Sequence, residues 1–117
     1  MREFLHVDDL ADACIFLMER YEGDTHINVG TGQDLAIMEL AELVRSIEHP
    51  AASLRFDTAK PDGTPRKVLD VSRLTELGWS SSIDLASGIR STCEWFLEQQ
   101  ELDLELRGFP VDQAEVA

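Results

Sequence analysis

The sequence predicts an α/β protein in which a small sheet of three to four short strands packs with about three to four helices. Three observations support this. Apolar residues recur at helical spacing in three long segments, short extended-type segments fall between them, and glycine or proline marks the junctions. The chain has 117 residues, and a chain of this size buries roughly two-thirds of its unfolded surface, enough for one core. A complete dinucleotide domain plus a substrate domain does not fit that length.

The first element is a short extended piece, Phe4-Leu5-His6-Val7. A helix from Asp8 to Arg20 follows, with Leu10, Ala13, Cys14, Leu17 and Met18 on one stripe and Asp8 and Asp9 able to cap its first turn. Glu22-Gly23-Asp24 breaks the chain before a second extended piece, His26-Ile27-Asn28-Val29, which Gly30 ends. Gly30-Thr31-Gly32 then turns into a second helix, with Asp34 as its N-cap and Ile37, Leu40, Ala41, Val44 and Ile47 on one face. His49-Pro50 stops it. Leu54-Arg55-Phe56-Asp57 reads as a third strand, and Val68-Leu69-Asp70-Val71 offers another extended piece. Between them, from Lys60 to Lys67, two prolines and a glycine exclude regular structure while limiting φ, so an ordered loop is expected. Ser72 caps a short turn from Arg73 to Leu77, Gly78 stands where a C′ glycine belongs, and Trp79 is a core anchor. The last helix runs from about Asp84 to Gln100 and buries Leu85, Ile89, Cys93, Phe96 and Leu97. Residues 1–100 form the folded unit, and residues 101–117 are expected to be an acidic, partly disordered tail.

Ten Lys and Arg against 23 Asp and Glu give a formal net charge of −13. Such a chain repels a phosphate backbone, so no nucleic acid and no membrane surface is expected as a partner. The opening residues lack the apolar run of a signal peptide, and no later window is long and apolar enough to span a bilayer. A soluble, cytoplasmic protein is expected. Cys14 and Cys93 lie far apart inside helical patterns and read as buried free thiols. His6, His26 and His49 are scattered without metal-ligand spacing, so no metal site is assigned. Adjacent residues on a helix do not face each other, which removes Asp8 and Asp9 as an acid/base pair. Short-chain dehydrogenase catalysis needs a Tyr with a Lys four positions on. The one tyrosine is Tyr21, and Thr25 stands four positions on.

Positive charge is concentrated instead. Arg55, Lys60, Arg66, Lys67 and Arg73 fall within 19 residues around the proline-glycine loop. Arginine forks, a lysine point charge and exposed turn N–H groups suit a pyrophosphate, although the same cations could pair with Asp57, Asp62 and Asp70 on a solvated loop. Gly30-Thr31-Gly32 has the position of a phosphate-binding turn, but Leu35 replaces the third glycine of the fingerprint. A structural turn is the better reading.

Three segments then carry a resemblance: REFLHVDDLADACIFLMERYEGDTHINVGTG at 2–32, LRFDTAKPDGTPRKVLDVSRLTELGW at 54–79 and IDLASGIRSTCEWFLEQQ at 83–100. They resemble the carboxyl-terminal part of the GDP-L-fucose synthase family, whose most specific signature here is KPDGTPRK followed by LDVSRL and LGW. The resemblance implies the substrate-binding subdomain of an extended short-chain dehydrogenase within the NAD-dependent epimerase family. It also implies an NADP-dependent epimerase/reductase that makes GDP-L-fucose from GDP-4-dehydro-6-deoxy-D-mannose. No counterpart of the dinucleotide domain or of its catalytic Ser, Tyr and Lys is found, so no catalytic or cofactor-binding residue is carried over. NADP belongs to the full-length family. What carries over is the nucleotide-sugar wall, where Arg2 meets the GDP-sugar and Lys60, Asp62, Arg66 and Lys67 belong to the covering loop. The chain departs from the family at Glu48-His49-Pro50-Ala51-Ala52 and beyond Gln100. A methionine set inside what is mid-chain sequence in the family implies a truncated frame, a mobile gene fragment or a cloned domain. The function expected is a truncated substrate-binding domain that binds a GDP-sugar at most and does not turn over alone. The alternative is an oligomerising or interaction module, in which a second copy or a partner chain covers the apolar faces of helices 8–20 and 84–100.

Overall fold

The computed structural model describes residues 1–61 and 63–101. In chain order it contains β1 (Arg2–Glu3), α1 (Val7–Arg20), β2 (Asp34–Leu35), α2 (Ile37–Glu48), α3 (Ser72–Glu76) and α4 (Leu85–Glu101). Two strands pair antiparallel, Arg2 opposite Leu35 and Glu3 opposite Asp34, and Lys67 makes an isolated parallel bridge to Arg2. The expected three to four strands are therefore replaced, among the described residues, by a two-stranded sheet and one bridge. Sheet pairing begins at Arg2 instead of Phe4, and His26–Val29, Leu54–Asp57 and Val68–Val71 form no strand.

Side chains explain part of that difference. A ladder needs a neighbouring backbone, but here Asn28 Nδ2 donates to the Asp70 carbonyl at 3.0 Å, the Leu69 N–H donates to Glu3 Oε2 at 2.7 Å, and Arg73 Nη1 donates to the His26 carbonyl at 2.7 Å. Backbone groups that a sheet would pair are satisfied by side chains, so the segments stay extended without becoming strands.

Helix α1 starts one residue earlier than expected because His6 caps it: Nδ1 accepts the Asp8 N–H at 3.2 Å. Asp8 and Asp9 sit in the first turn, where carboxylates complement the helix dipole. Ala13 is fully buried with Leu74 and Trp79, and Leu5, Phe16, Leu17, Ile27 and Val29 pack around that cluster. The opposite side of α1 is apolar as well. Val7, Leu10, Ile15 and Met18 are exposed, and so is Cys14. The single expected stripe is thus two stripes, and Cys14 is not a buried thiol, because one residue step rotates the helix about 100° away from Ala13.

The α3 end closes as a Schellman motif. Gly78 has φ +97°, its N–H donates to the Thr75 carbonyl at 2.9 Å, and the Trp79 N–H donates to the Leu74 carbonyl at 3.2 Å. This places Trp79 in the core, where its indole N–H reaches Asp12 Oδ2 at 2.8 Å and ties α3 to α1. Asp84 caps α4, accepting the Ser87 N–H at 3.0 Å and its hydroxyl at 2.6 Å. Helices α2 and α4 pack together. Asp34 is not the cap of α2: Ala36 takes that position, its N–H donating to Glu39 Oε2 at 2.7 Å. The expected tail starts at Glu101, which instead ends α4, and the rest of that expectation, for residues 102–117, lies outside the described residues.

Candidate functional site

β1 is the frame on which the basic loop is hung. Arg2 Nη1 donates to the Met1 and Thr64 carbonyls, both at 2.7 Å, the Lys67 N–H donates to the Met1 carbonyl at 3.1 Å, and the Met1 amino group bonds the Pro65 carbonyl. The loop end is thereby fixed along the first strand. Beside it opens a cleft of about 670 Å³, lined by Arg2, Arg66, Lys67 and Glu3 with Val29 and Leu69 as apolar wall. Arg66 crosses to β2 and forms a two-point ion pair with Asp34, Nε to Oδ2 at 2.5 Å and Nη2 to Oδ1 at 3.2 Å. The Arg66 bond holds the Asp34 carboxyl below the usual aspartate range.

Of the five residues expected on a nucleotide-sugar wall, the structure brings Arg2, Arg66 and Lys67 together. Lys60 sits on an exposed Asp57–Lys60 turn outside that lining, with the Asp57 carboxylate occupied by the Ala59 N–H at 3.0 Å. Asp62 lies outside the described residues. Neither Asp57 nor Asp70 neutralises the loop cations in hydrogen-bonded pairs; Asp70 instead accepts the Ser72 N–H at 3.0 Å. Arg73 faces elsewhere, donating to Thr25 Oγ1 at 2.6 Å and to the Tyr21 hydroxyl at 3.0 Å. Thr25 and Arg73 hold the Tyr21 phenol below its ordinary range, but Tyr21 does not line the cleft.

Glu3 and Asp34 were not legible as site residues. Glu3 Oε1 accepts the Gly32 N–H at 2.7 Å and the Thr31 hydroxyl at 3.3 Å, while Oε2 accepts the Leu69 N–H. Burial alone would raise this carboxyl; those donors outweigh it and hold it below the usual glutamate range. A methyl at Gly30 would overlap Glu3 Oε1, which is why that position is glycine. The Gly30-Thr31-Gly32 turn therefore spends its donors on the chain's own carboxylate, as a structural turn does.

Two further clusters have a structural explanation. Asp9 is 3% exposed and accepts the Ile83 N–H at 3.0 Å, the Ser82 N–H at 3.1 Å and the Ser82 hydroxyl at 2.9 Å. Burial pushes its carboxyl up, and these donors more than reverse the shift. Asp9 thus fixes the approach to α4 instead of capping α1. Ser91, His6 and Asp8 have the residue types of a hydrolase triad, Ser91 Oγ lying 3.3 Å from His6 Nε2. Their wiring is wrong for one: Nδ1 accepts the Asp8 N–H, and the Ser91 hydroxyl donates to the Gly88 carbonyl at 3.1 Å.

A profile of the NAD dependent epimerase/dehydratase family matches residues 1–30. The chain is 52% identical over 98 residues to GDP-L-fucose synthase 1 of Arabidopsis thaliana, covering 84% of this chain and 30% of the relative. It is 49% identical over 110 residues to the GDP-L-fucose synthase of Escherichia coli strain K12, covering 86% and 34%. Among solved structures, a GDP-6-OMe-4-keto-L-xylo-heptose reductase from C. jejuni superposes with a TM-score of 0.76 at 39% identity, over 84% of this chain and 31% of that one. The chain spans about a third of the length of the curated relatives it matches. No helix among the described residues is long and apolar enough to cross a membrane.

Proposed function

For a chain homologous to the carboxyl-terminal part of the GDP-L-fucose synthases, we propose that the cleft beside β1 takes the diphosphate of a GDP-sugar. The observation that carries this is the convergence of Arg2, Arg66 and Lys67 on one open cleft of a strongly acidic chain. Arg66 offers a planar fork, Lys67 a compact charge, and Arg2 holds the loop that carries both. Lys60 lies outside the cleft lining, so its part and that of Asp62 in this reading rest on the family resemblance alone. The ligand class agrees with the GDP-sugars named for the relatives and for the solved neighbour.

Residues 1–101 by themselves bind without turning over. Ketone reduction needs a hydride donor and a proton donor. The Gly30-Thr31-Gly32 turn is filled by Glu3, and the one tyrosine is tied to Thr25 and Arg73 away from the cleft. One wall of a cleft also desolvates its ligand incompletely, so affinity is weak. Amide shift mapping with GDP tests the reading. Displaced signals at Arg66, Lys67 and Leu69, absent with guanosine, are expected; shifts elsewhere, or none, overturn it.

One observation favours a second reading, an interaction module. Val7, Ile15 and Met18 on the outer side of α1 are 67%, 58% and 85% exposed, an apolar stripe that a second chain would cover. Sedimentation of the wild type and of Met18→Glu measures it: association lost in the variant supports it, and a monomer in both excludes it.

A further inference from the structure

The Arg66–Asp34 pair is lopsided in a way that bears on binding. Arg66 is 64% exposed while Asp34 is 6% exposed, so the carboxylate lies behind the guanidinium and the guanidinium faces outward. Asp34 is fixed by its place in β2, paired across the sheet with Glu3. It takes the Nε and Nη2 edge of the fork, and Nη1 has no hydrogen-bond acceptor among the described residues. Two effects of this carboxylate oppose each other. Its negative charge repels an incoming anion, whereas its two-point grip removes the rotamer freedom that an exposed arginine must otherwise lose on binding. Because the charge is shielded by the guanidinium it holds, the second effect is the larger.

We infer that Asp34 is a positioning residue of the anion site, holding Arg66 by one edge so that the Nη1 edge is presented to a diphosphate in the cleft. This rests on the diphosphate reading of the same cleft. Asp34 touches no ligand in this arrangement; it acts only through Arg66. An unpaired arginine in its place would sample the solvent and present no fixed fork.

The test is a double-mutant cycle read by GDP titration of the whole chain: wild type, Asp34→Asn, Arg66→Lys and the double variant. Asparagine keeps the shape and removes the two-acceptor carboxylate. A loss of about fivefold in GDP affinity is expected for Asp34→Asn and about tenfold for Arg66→Lys, with the double variant no weaker than Arg66→Lys alone. Equal or tighter GDP binding by Asp34→Asn overturns the inference, since the carboxylate would then only repel. So does a fivefold loss repeated in full on the lysine background, which would mean that Asp34 acts through the fold. Wild type that fails to bind GDP overturns the diphosphate reading as well, so the two failures are told apart. Should Asp34→Asn not fold, the Arg66 Nε–H resonance of the wild type decides. Slow solvent exchange and a shift on adding GDP are expected; rapid exchange with and without GDP overturns the inference.

Discussion

The Gly30-Thr31-Gly32 turn and the Pro65-Arg66-Lys67 loop end both pack against β1, and both offer the donors from which anion sites are made. They differ in what meets those donors. The turn is closed by the chain itself, because Glu3 supplies a carboxylate to Gly32 and Thr31. The loop end meets Asp34 through one edge of Arg66 only, and Lys67 forms no ion pair among the described residues. A glycine turn before a helix therefore says little about phosphate until its N–H groups are accounted for. The open site belongs to side chains whose charge is only partly matched.

Removing the internal carboxylate should break the closed turn most severely. Glu3→Ala leaves the Gly32 and Leu69 N–H groups without their carboxylate acceptor, and because water can reach both, a loss of about 2 kcal/mol in urea unfolding is expected. Acid should act on the same bonds. Glu3 and Asp9 both titrate below their ordinary ranges in the folded chain, so their contribution is complete above the unfolded values near pH 4 and is lost as pH falls through the folded ones. Unfolding followed from pH 6 to pH 2 should show stability falling with acid, with a shallower slope for Glu3→Gln. Gly32 has φ +70°, and an added Cβ would come within 2.9 Å of Val71 Cγ2, so Gly32→Ala should cost about 1 kcal/mol through backbone strain and crowding together. At the loop end the expected effect on the fold is smallest. Arg66→Ala should lower the thermal midpoint by about 3 °C, because the arginine side of the pair is exposed while Asp34, 6% exposed, loses its partner. A large drop there would mean that the loop end is as structural as the turn.

The helices were legible because burial imposes a 3.6-residue period that survives in sequence: α1, α2 and α4 begin within three residues of where periodicity puts them. The Gly78 cap and the Trp79 anchor were legible for a local reason, since a left-handed C′ residue has few alternatives to glycine. The strands were not. Alternation tells which side chains share a face but not whether a backbone neighbour exists, and Asn28, Glu3 and Arg73 take the positions a neighbour would hold. Asp34 illustrates the limit for the site. As the polar residue after a glycine turn it reads as an N-cap, although Glu39 three residues after Ala36 already signals the true helix start. Glu3 carried no such hint, because it precedes the extended piece read at Phe4–Val7 and its donors, Gly32 and Leu69, lie far along the chain. The clustering of Arg66 and Lys67 was visible in composition and the family resemblance grouped them with Arg2, whereas the contacts that bring the three to one cleft needed the fold.

The proposed diphosphate site at the loop end, set against the closed turn, is open to one direct measurement. Calorimetric titration with GDP, on wild type and on Arg66→Ala, at low and raised salt, tests it most directly. Saturable binding by the wild type is expected, weakening at least tenfold in the variant and falling with salt, as a charge-based site must. No saturable heat in the wild type, or binding that Arg66→Ala leaves intact, would contradict it.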